Sequence, residues 1–329
     1  MKILNFSHES DIDGLGGVIL SKYAFATVDY ILSPSVQKME PIFREKMEDG
    51  SLDAYDFIFA TDLALDNPAL ELLANDQKLN KKVQILDHHA FSIDKGLGKY
   101  PFTKIIEKDD NGRKTCGTEL FYRYLLDRGL ITRKSIIDDL VELTRLEDTW
   151  EWKKAGERGL KAHDLAILMS AIGIERYIDC MVKKLNSPAD SIEFSEEEML
   201  EIENKKAEFR AKMASIWEEA EFLDDYAGNR FAVIPANYEY RNEIAEYIRS
   251  LEDKKGIKYV VIIALDKAPF GQKSYRSIED GFDVNIVAMA HGGGGHPEAA
   301  SVNITEEQKT LSLKMSQRDR LKYLAESNF

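Results

Sequence analysis

The run Val83-Gln84-Ile85-Leu86 ends in Asp87-His88-His89. The β-formers Val83, Ile85 and Leu86 read as a strand, and an acid with two adjacent imidazoles at its end sits where open α/β sheets carry their chemistry. Taken alone, such a triplet is a turn with surface histidines. It gains weight from company, because the chain has only six histidines and another of them, His8, closes the apolar run Lys2-Ile3-Leu4-Asn5-Phe6-Ser7.

The same grammar recurs along the first half. His8 opens a loop containing Asp11 and Asp13, and Gly14, Gly16 and Gly17 lead into a helical run over 18–25. Neither a dinucleotide nor a P-loop glycine spacing is present, so these glycines are read as letting a helix approach a ligand or a strand closely. One acid suffices to cap a helix; two acids together with His8 exceed that need and point to metal ligation. Residues 28–32 form a second strand, followed by a polar helix near 38–49. Tyr55-Asp56-Phe57-Ile58-Phe59-Ala60-Thr61 then ends in Asp62, a third strand-end acid. Asp66 before Asn67-Pro68 reads as a helix cap, so the chemistry falls to Asp62. Thr118 is the expected N-cap of a helix over 119–126, and the helical run 140–148 ends in Asp148 before Thr149-Trp150-Glu151-Trp152. Alone, Asp148 is a solvated helix-end acid; beside the other clusters it is a candidate ligand. Strands alternating with helices at this spacing predict an α/β domain with a largely parallel sheet covered on both faces.

Composition bounds the rest. A net charge of −14 over 329 residues opposes coating of long nucleic acid by bulk electrostatics, so any anionic ligand should be short. Cys116 and Cys180 are too few for a disulfide framework or a thiolate zinc site, which implies a reducing, cytoplasmic setting. No apolar run has the length of a signal peptide or membrane span, so no membrane partner is expected.

From 186 to 227 the chain turns highly charged and helical in period, with Met199, Ile202, Phe209, Met213 and Ile216 as an apolar stripe. That segment is read as a helical linker between a domain at 1–185 and a smaller one at 228–329. In the latter, 231–234 and 259–265 are strands, and Lys267, Phe270, Lys273, Tyr275 and Arg276 gather basic and aromatic groups suited to a phosphate and a stacked base. Downstream, His291-Gly292-Gly293-Gly294-Gly295-His296-Pro297-Glu298-Ala299-Ala300-Ser301 offers backbone N–H groups that can wrap an anion.

In order and kind, His8 with Asp11 and Asp13, then Asp62, then Asp87-His88-His89, then Asp148 resemble the four motifs of the DHH phosphoesterase superfamily. The glycine string resembles the Gly-Gly-Gly-His signature of its associated C-terminal substrate-binding domain, itself a smaller α/β unit. Ser7-His8-Glu9-Ser10-Asp11-Ile12-Asp13-Gly14 and Asp148-Thr149-Trp150-Glu151-Trp152 look most like the nanoRNase branch of NrnB type, although the His8-to-Asp11 spacing is one residue shorter than in the pyrophosphatase and NrnA-type branches. The resemblance implies two divalent ions, Mn²⁺ with Mg²⁺ or Co²⁺ as alternatives. One would take His8, Asp11 and Asp62, and the other Asp13, Asp62, His88 and Asp148. It further implies His89 as phosphate-facing donor or general acid, Asp87 as the group orienting an imidazole, and Arg276, Gly293, Gly294, Gly295 and His296 as substrate binders. The expected reaction is hydrolysis of short single-stranded RNA or linear dinucleotides to mononucleotides by two-metal water attack, without action on long duplexes and with homodimerisation left open. Alternatives are a 3′-phosphoadenosine 5′-phosphate phosphatase, a RecJ-like single-strand exonuclease, a cyclic-dinucleotide phosphodiesterase and, outside enzymes, a nucleotide-binding sensor.

Overall fold

A computed structural model of the chain describes residues 1–34 and 36–327. It divides into Met1–Lys205 and Lys206–Phe329, a boundary inside the segment expected as the connector.

In the first unit β1 (Lys2–His8), α1 (Ile12–Ala24), β2 (Thr27–Ser33), α2 (Val36–Glu48), β3 (Phe57–Thr61), α3 (Asn67–Asn75), β4 (Val83–Asp87), α4 (Ala90–Asp94) and β5 (Thr103–Ile105) alternate. Helices α5 (Gly117–Asp127), α6 (Ser135–Asp148), α7 (Gly156–Ile172) and α8 (Ile174–Leu185) follow. The sheet has five strands in the order β2-β1-β3-β4-β5, with every pair parallel. Successive side chains on a strand face opposite sides. Ile3, Phe59 and Leu86 accordingly join a core built with α1 and α5–α8, while Leu4, Phe6, Ile58, Ala60 and Ile85 join Met39 and Phe43 of α2 and Leu70 and Leu73 of α3. Burial on both faces is what makes these strands read as near-continuous apolar runs.

The glycines of α1 serve packing rather than a ligand. A Cβ on Gly17 would stand 2.0 Å from Thr61 Oγ1, and one on Gly16 would stand 1.9 Å from Thr118 Oγ1. The helix thereby lies close enough to β3 and α5 to hold its acidic first turn at the sheet edge.

Helix α9 (Glu196–Glu218) spans the boundary. Its apolar positions serve two cores, Ile202 belonging to the first and Met213 to the second, and Met199 is exposed rather than part of one stripe.

The second unit contains β6 (Glu221–Asp224), β7 (Arg230–Pro235), α10 (Arg241–Ser250), β8 (Tyr259–Ala264), β9 (Gln272–Ser277), α11 (Val284–Ala290), β10 (Gly294–His296), β11 (Ala299–Asn303), α12 (Glu306–Ser312) and α13 (Gln317–Glu326). Its six strands run β10-β11-β9-β8-β7-β6, and only β7 and β8 pair in parallel among the described strands. Val233, Val261, Ile263 and Tyr275 pack toward α11 and α13, and Ala232, Ile234, Val260 and Ile262 toward α10 and the end of α9. No described helix is long and apolar enough to cross a membrane.

Candidate metal centre

The strand order reverses between β1 and β3, whose chain connections leave toward opposite edges of the sheet. At such a switch point two adjacent loops diverge from the carboxyl edge and leave a crevice. His8 is the last residue of β1 and Asp62 the first beyond β3; Asp87 ends β4, with His88 and His89 following. Asp11 caps α1 by accepting the Gly14 N–H at 2.9 Å, Asp13 stands in that helix's first turn, and Asp148 is the last residue of α6.

Three candidate ligand groups form there, each with ligand atoms within 4.8 Å of one another: His8, Asp11 and Asp62; Asp13, His88 and Asp148; and Asp62, His88 and His89. His88 Nε2 lies 3.2 Å from Asp62 Oδ1, 3.5 Å from Asp148 Oδ2 and 3.6 Å from Asp13 Oδ2. His8 Nδ1 is 3.2 Å from Asp11 Oδ2. Every metal-site residue expected from the sequence is therefore at this edge.

The acids are held rigidly. Asp13 is fully buried and accepts N–H bonds from Gly117 at 2.6 Å and Thr118 at 2.8 Å. The first turn of α5 thus satisfies free helix N–H groups with a carboxylate. Thr118 was expected as the cap of α5. Instead Cys116 caps it, through Sγ accepting the Glu119 N–H, while the Thr118 hydroxyl donates to the Asp13 carbonyl at 2.8 Å. Asp66 does occupy the cap position of α3, but its side chain makes no cap bond and pairs with Lys95 at 2.7 Å. Asp62 has φ 59°, a left-handed conformation that aspartate tolerates better than most residues. Its Cα lies 2.7 Å from where a Cβ on Gly117 would stand. Gly117 and Thr118 are supporting residues that no local pattern disclosed; the only hint was a Gly-Thr pair just ahead of a helix.

So much negative charge perturbs titration. Burial first, then Asp13, Asp11, Asp148 and Asp87, raises the Asp62 carboxyl well above the usual range. Burial, then Asp13 and Asp11, pushes Asp148 up to about 8. His89 is pushed up to about 9, chiefly by its hydrogen bond to Asp87, whose Oδ1 is 2.7 Å from His89 Nδ1. Asp62 Oδ1, Asp87 Oδ2, His88 Nε2 and Asp148 Oδ2 are buried without a hydrogen-bond partner. Buried polar atoms without partners are costly; here acid oxygens converge on one imidazole nitrogen, and oxygen and nitrogen donors without thiolate suit a divalent cation of the Mg²⁺ or Mn²⁺ kind. The Cys116 thiol, raised far above its ordinary range by burial and then by Asp13 and Asp148, adds no thiolate.

In the second unit, Arg276 pairs in register with Ala299, which pairs with His296. Both groups therefore lie on one sheet face. Arg276 donates to Asn242 Oδ1 at 3.1 and 3.0 Å and to the Tyr275 carbonyl at 2.8 Å, and burial brings it down to about 10. Lys273 and Tyr275, grouped with Arg276 on sequence grounds, point the other way along β9. Lys273 is fully buried, donates to the Ser327 carbonyl at 2.8 Å, and is lowered by burial to about 8. Gly294 and Gly295 of the glycine string lie in β10 rather than in a loose anion-binding loop, and Ala299 and Ala300 open β11. A Cβ on Gly293 would stand 2.1 Å from the Ser301 carbonyl oxygen, so the close approach of β11 to the residue ahead of β10 requires that glycine. Gly294 and Gly295 complete β10 ahead of His296.

Residues 229–318 match the DHHA1 domain model. The chain is 29% identical over 308 residues to oligoribonuclease NrnB of Bacillus subtilis (strain 168), covering 92% of this chain and 73% of that protein. Among solved structures it is similar to the pGpG-specific phosphodiesterase PggH from Vibrio cholerae, with a TM-score of 0.49, 13% identity, and coverage of 99% of this chain and 100% of that one. It is also similar to an exopolyphosphatase-related protein from Bacteroides fragilis, with a TM-score of 0.47, 15% identity, and coverage of 98% and 92%.

Proposed function

We propose that the chain, whose residues 229–318 match the DHHA1 domain model and which is 29% identical to an oligoribonuclease, is a DHH-type phosphoester hydrolase that cleaves short oligoribonucleotides, linear dinucleotides included, to nucleoside monophosphates. The observation that carries this reading is the convergence of the Asp13, Asp62 and Asp148 carboxylates on His88 Nε2, with His8 and Asp11 forming a further group with Asp62.

On this reading one divalent cation would be held by His8, Asp11 and Asp62 and a second by Asp13, Asp62, His88 and Asp148. Such ions, Mn²⁺ in this proposal, supply charge neutralisation and an activated water for attack on phosphorus when bound. His89 is protonated at neutral pH because the Asp87 hydrogen bond holds it up to about 9. With Nδ1 bound to Asp87, its Nε2–H is the proton it presents to a phosphate oxygen or departing alkoxide. Arg276, fixed by Asn242, and His296 hold substrate phosphate, with the β10 glycines supplying close backbone approach. The catalytic domain is then residues 1–185 and the substrate domain 228–329, with 186–227 between them.

Charge supports a short substrate. At −14 the surface repels an extended phosphate backbone, so added nucleotides bring repulsion instead of the counterion release that drives long-chain binding. The test supplies Mn²⁺ with a labelled trinucleotide, a 24-nucleotide RNA, 3′-phosphoadenosine 5′-phosphate and a cyclic dinucleotide. The trinucleotide is expected to give mononucleotides with the highest kcat/KM. Faster, processive degradation of the 24-mer would replace this reading with a RecJ-like exonuclease, and preference for the bisphosphate with a phosphatase.

A further inference from the structure

Beside the candidate ligands the sheet edge opens into a cavity of about 220 Å³. Its lining includes His8, Asp62 and His89 together with the apolar side chains of Leu63, Leu97 and Phe91. Leu63 and Leu97 are buried, whereas the Phe91 ring is 61% exposed. A lone exposed phenylalanine is ordinary on a protein surface. This one differs in its setting, two residues beyond His89 and lining the same cavity as His8 and Asp62.

A cation accompanies it. Lys95 Nζ stands 4.2 Å from the Phe91 ring centroid and 2.7 Å from Asp66 Oδ1. Asp66 also lines the cavity, so the ammonium is held by two lining residues, an aromatic face and a carboxylate that an incoming phosphate can supplant. The volume is below the roughly 300–1,000 Å³ that encloses a drug-sized ligand, so the space suits one ring system rather than a longer chain.

We propose that this cavity is a nucleobase subsite in which one base of the substrate stacks on Phe91 while Lys95 pairs with a neighbouring phosphate. The proposal rests on the nucleotide-hydrolase reading and adds to it the group that distinguishes a nucleotide from any other phosphoester. Base–aromatic stacking is tolerant of sequence because every base has a π-face, which suits an enzyme clearing mixed short fragments.

The experiment compares wild type, Phe91→Ala and Phe91→Tyr in the full chain. Binding of adenosine 5′-monophosphate and of ribose 5-phosphate is measured calorimetrically with Mn²⁺ and with chelator, and KM and kcat are measured for a diadenylate. Phe91→Ala should weaken adenosine 5′-monophosphate binding and raise the diadenylate KM roughly tenfold, a typical loss for one stacked base. Ribose 5-phosphate affinity should not change, and Phe91→Tyr should behave as wild type. Equal losses for both phosphates, or no loss for either, would overturn the subsite. If wild type fails to cleave the dinucleotide, the hydrolase reading falls by itself, and the contrast between the two phosphates still decides the role of Phe91.

Discussion

Oδ1 of Asp62 lies 3.2 Å from Nε2 of His88, although the two residues follow different strands. The same nitrogen faces carboxylate oxygens of Asp148 and Asp13 at 3.5 and 3.6 Å. An imidazole nitrogen carries at most one proton. The remaining oxygens are left facing one another in a buried site, which makes Asp62 the residue whose charge matters most.

Asp62→Asn should therefore separate stability from activity. Asparagine tolerates the left-handed backbone at this position, so the fold should persist, and loss of a buried, repelled carboxylate should raise the melting temperature of the chelated protein. Turnover should fall by at least about 100-fold, the upper end of what loss of a ligand's supporting hydrogen bond costs. Metal content, calorimetry and kcat measured together check this. A fully metallated, active variant would sink the site assignment.

The acids make stability depend on pH in a definite direction. Asp148 at about 8 and the raised Asp62 bind protons in the folded state that unfolded carboxylates release near about 3.9. Between those values the native state holds more protons, so stability falls as pH rises. His89, raised to about 9, acts in the same sense: its contribution is complete below about 6.5 and is lost as pH passes its folded value. The melting temperature of chelated protein should fall steadily from about pH 5 to about pH 9, and Mn²⁺ should blunt the fall because it binds the deprotonated ligands. A flat or rising profile with chelator present would contradict the buried acid cluster.

Gly117 leaves no room for a side chain against the Asp62 backbone. A methyl group there would stand 2.7 Å from Asp62 Cα and 2.8 Å from its backbone nitrogen. Gly117→Ala should cost about 1–3 kcal/mol in urea unfolding, the usual range for overpacking, and should lower kcat by moving Asp62. Gly98→Ala, where a Cβ would meet nothing within 4 Å, is the control and should stay within about 0.5 kcal/mol.

Arg276→Ala and His296→Ala should chiefly raise KM, since groups that hold phosphate equally in ground and transition states do not change kcat. Lys273→Met should leave KM unchanged because that ammonium is buried against the Ser327 carbonyl. Wild-type kinetics for both the arginine and the histidine variants would remove the second unit from substrate binding.

The sequence by itself determined the α/β architecture and the positions of the acids and imidazoles. Strands of a parallel sheet are buried on both faces, so Ile3–Phe6, Ile58–Ala60 and Ile85–Leu86 stand out as apolar runs, and the polar residues that end them mark the carboxyl edge. Tertiary structure alone decided what supports those groups and which way the second sheet faces. Asp13 is held by N–H groups 104 and 105 residues away, a contact that no local pattern encodes, and for the same reason Thr118 reads as a cap although its hydroxyl serves Asp13. In β9 the alternation Lys273-Ser274-Tyr275-Arg276 suits either sheet face equally. Only the pairing of β9 with β8 and β11 sends Lys273 and Tyr275 into the core and leaves Arg276 in register with His296, because a one-residue shift would exchange the two faces.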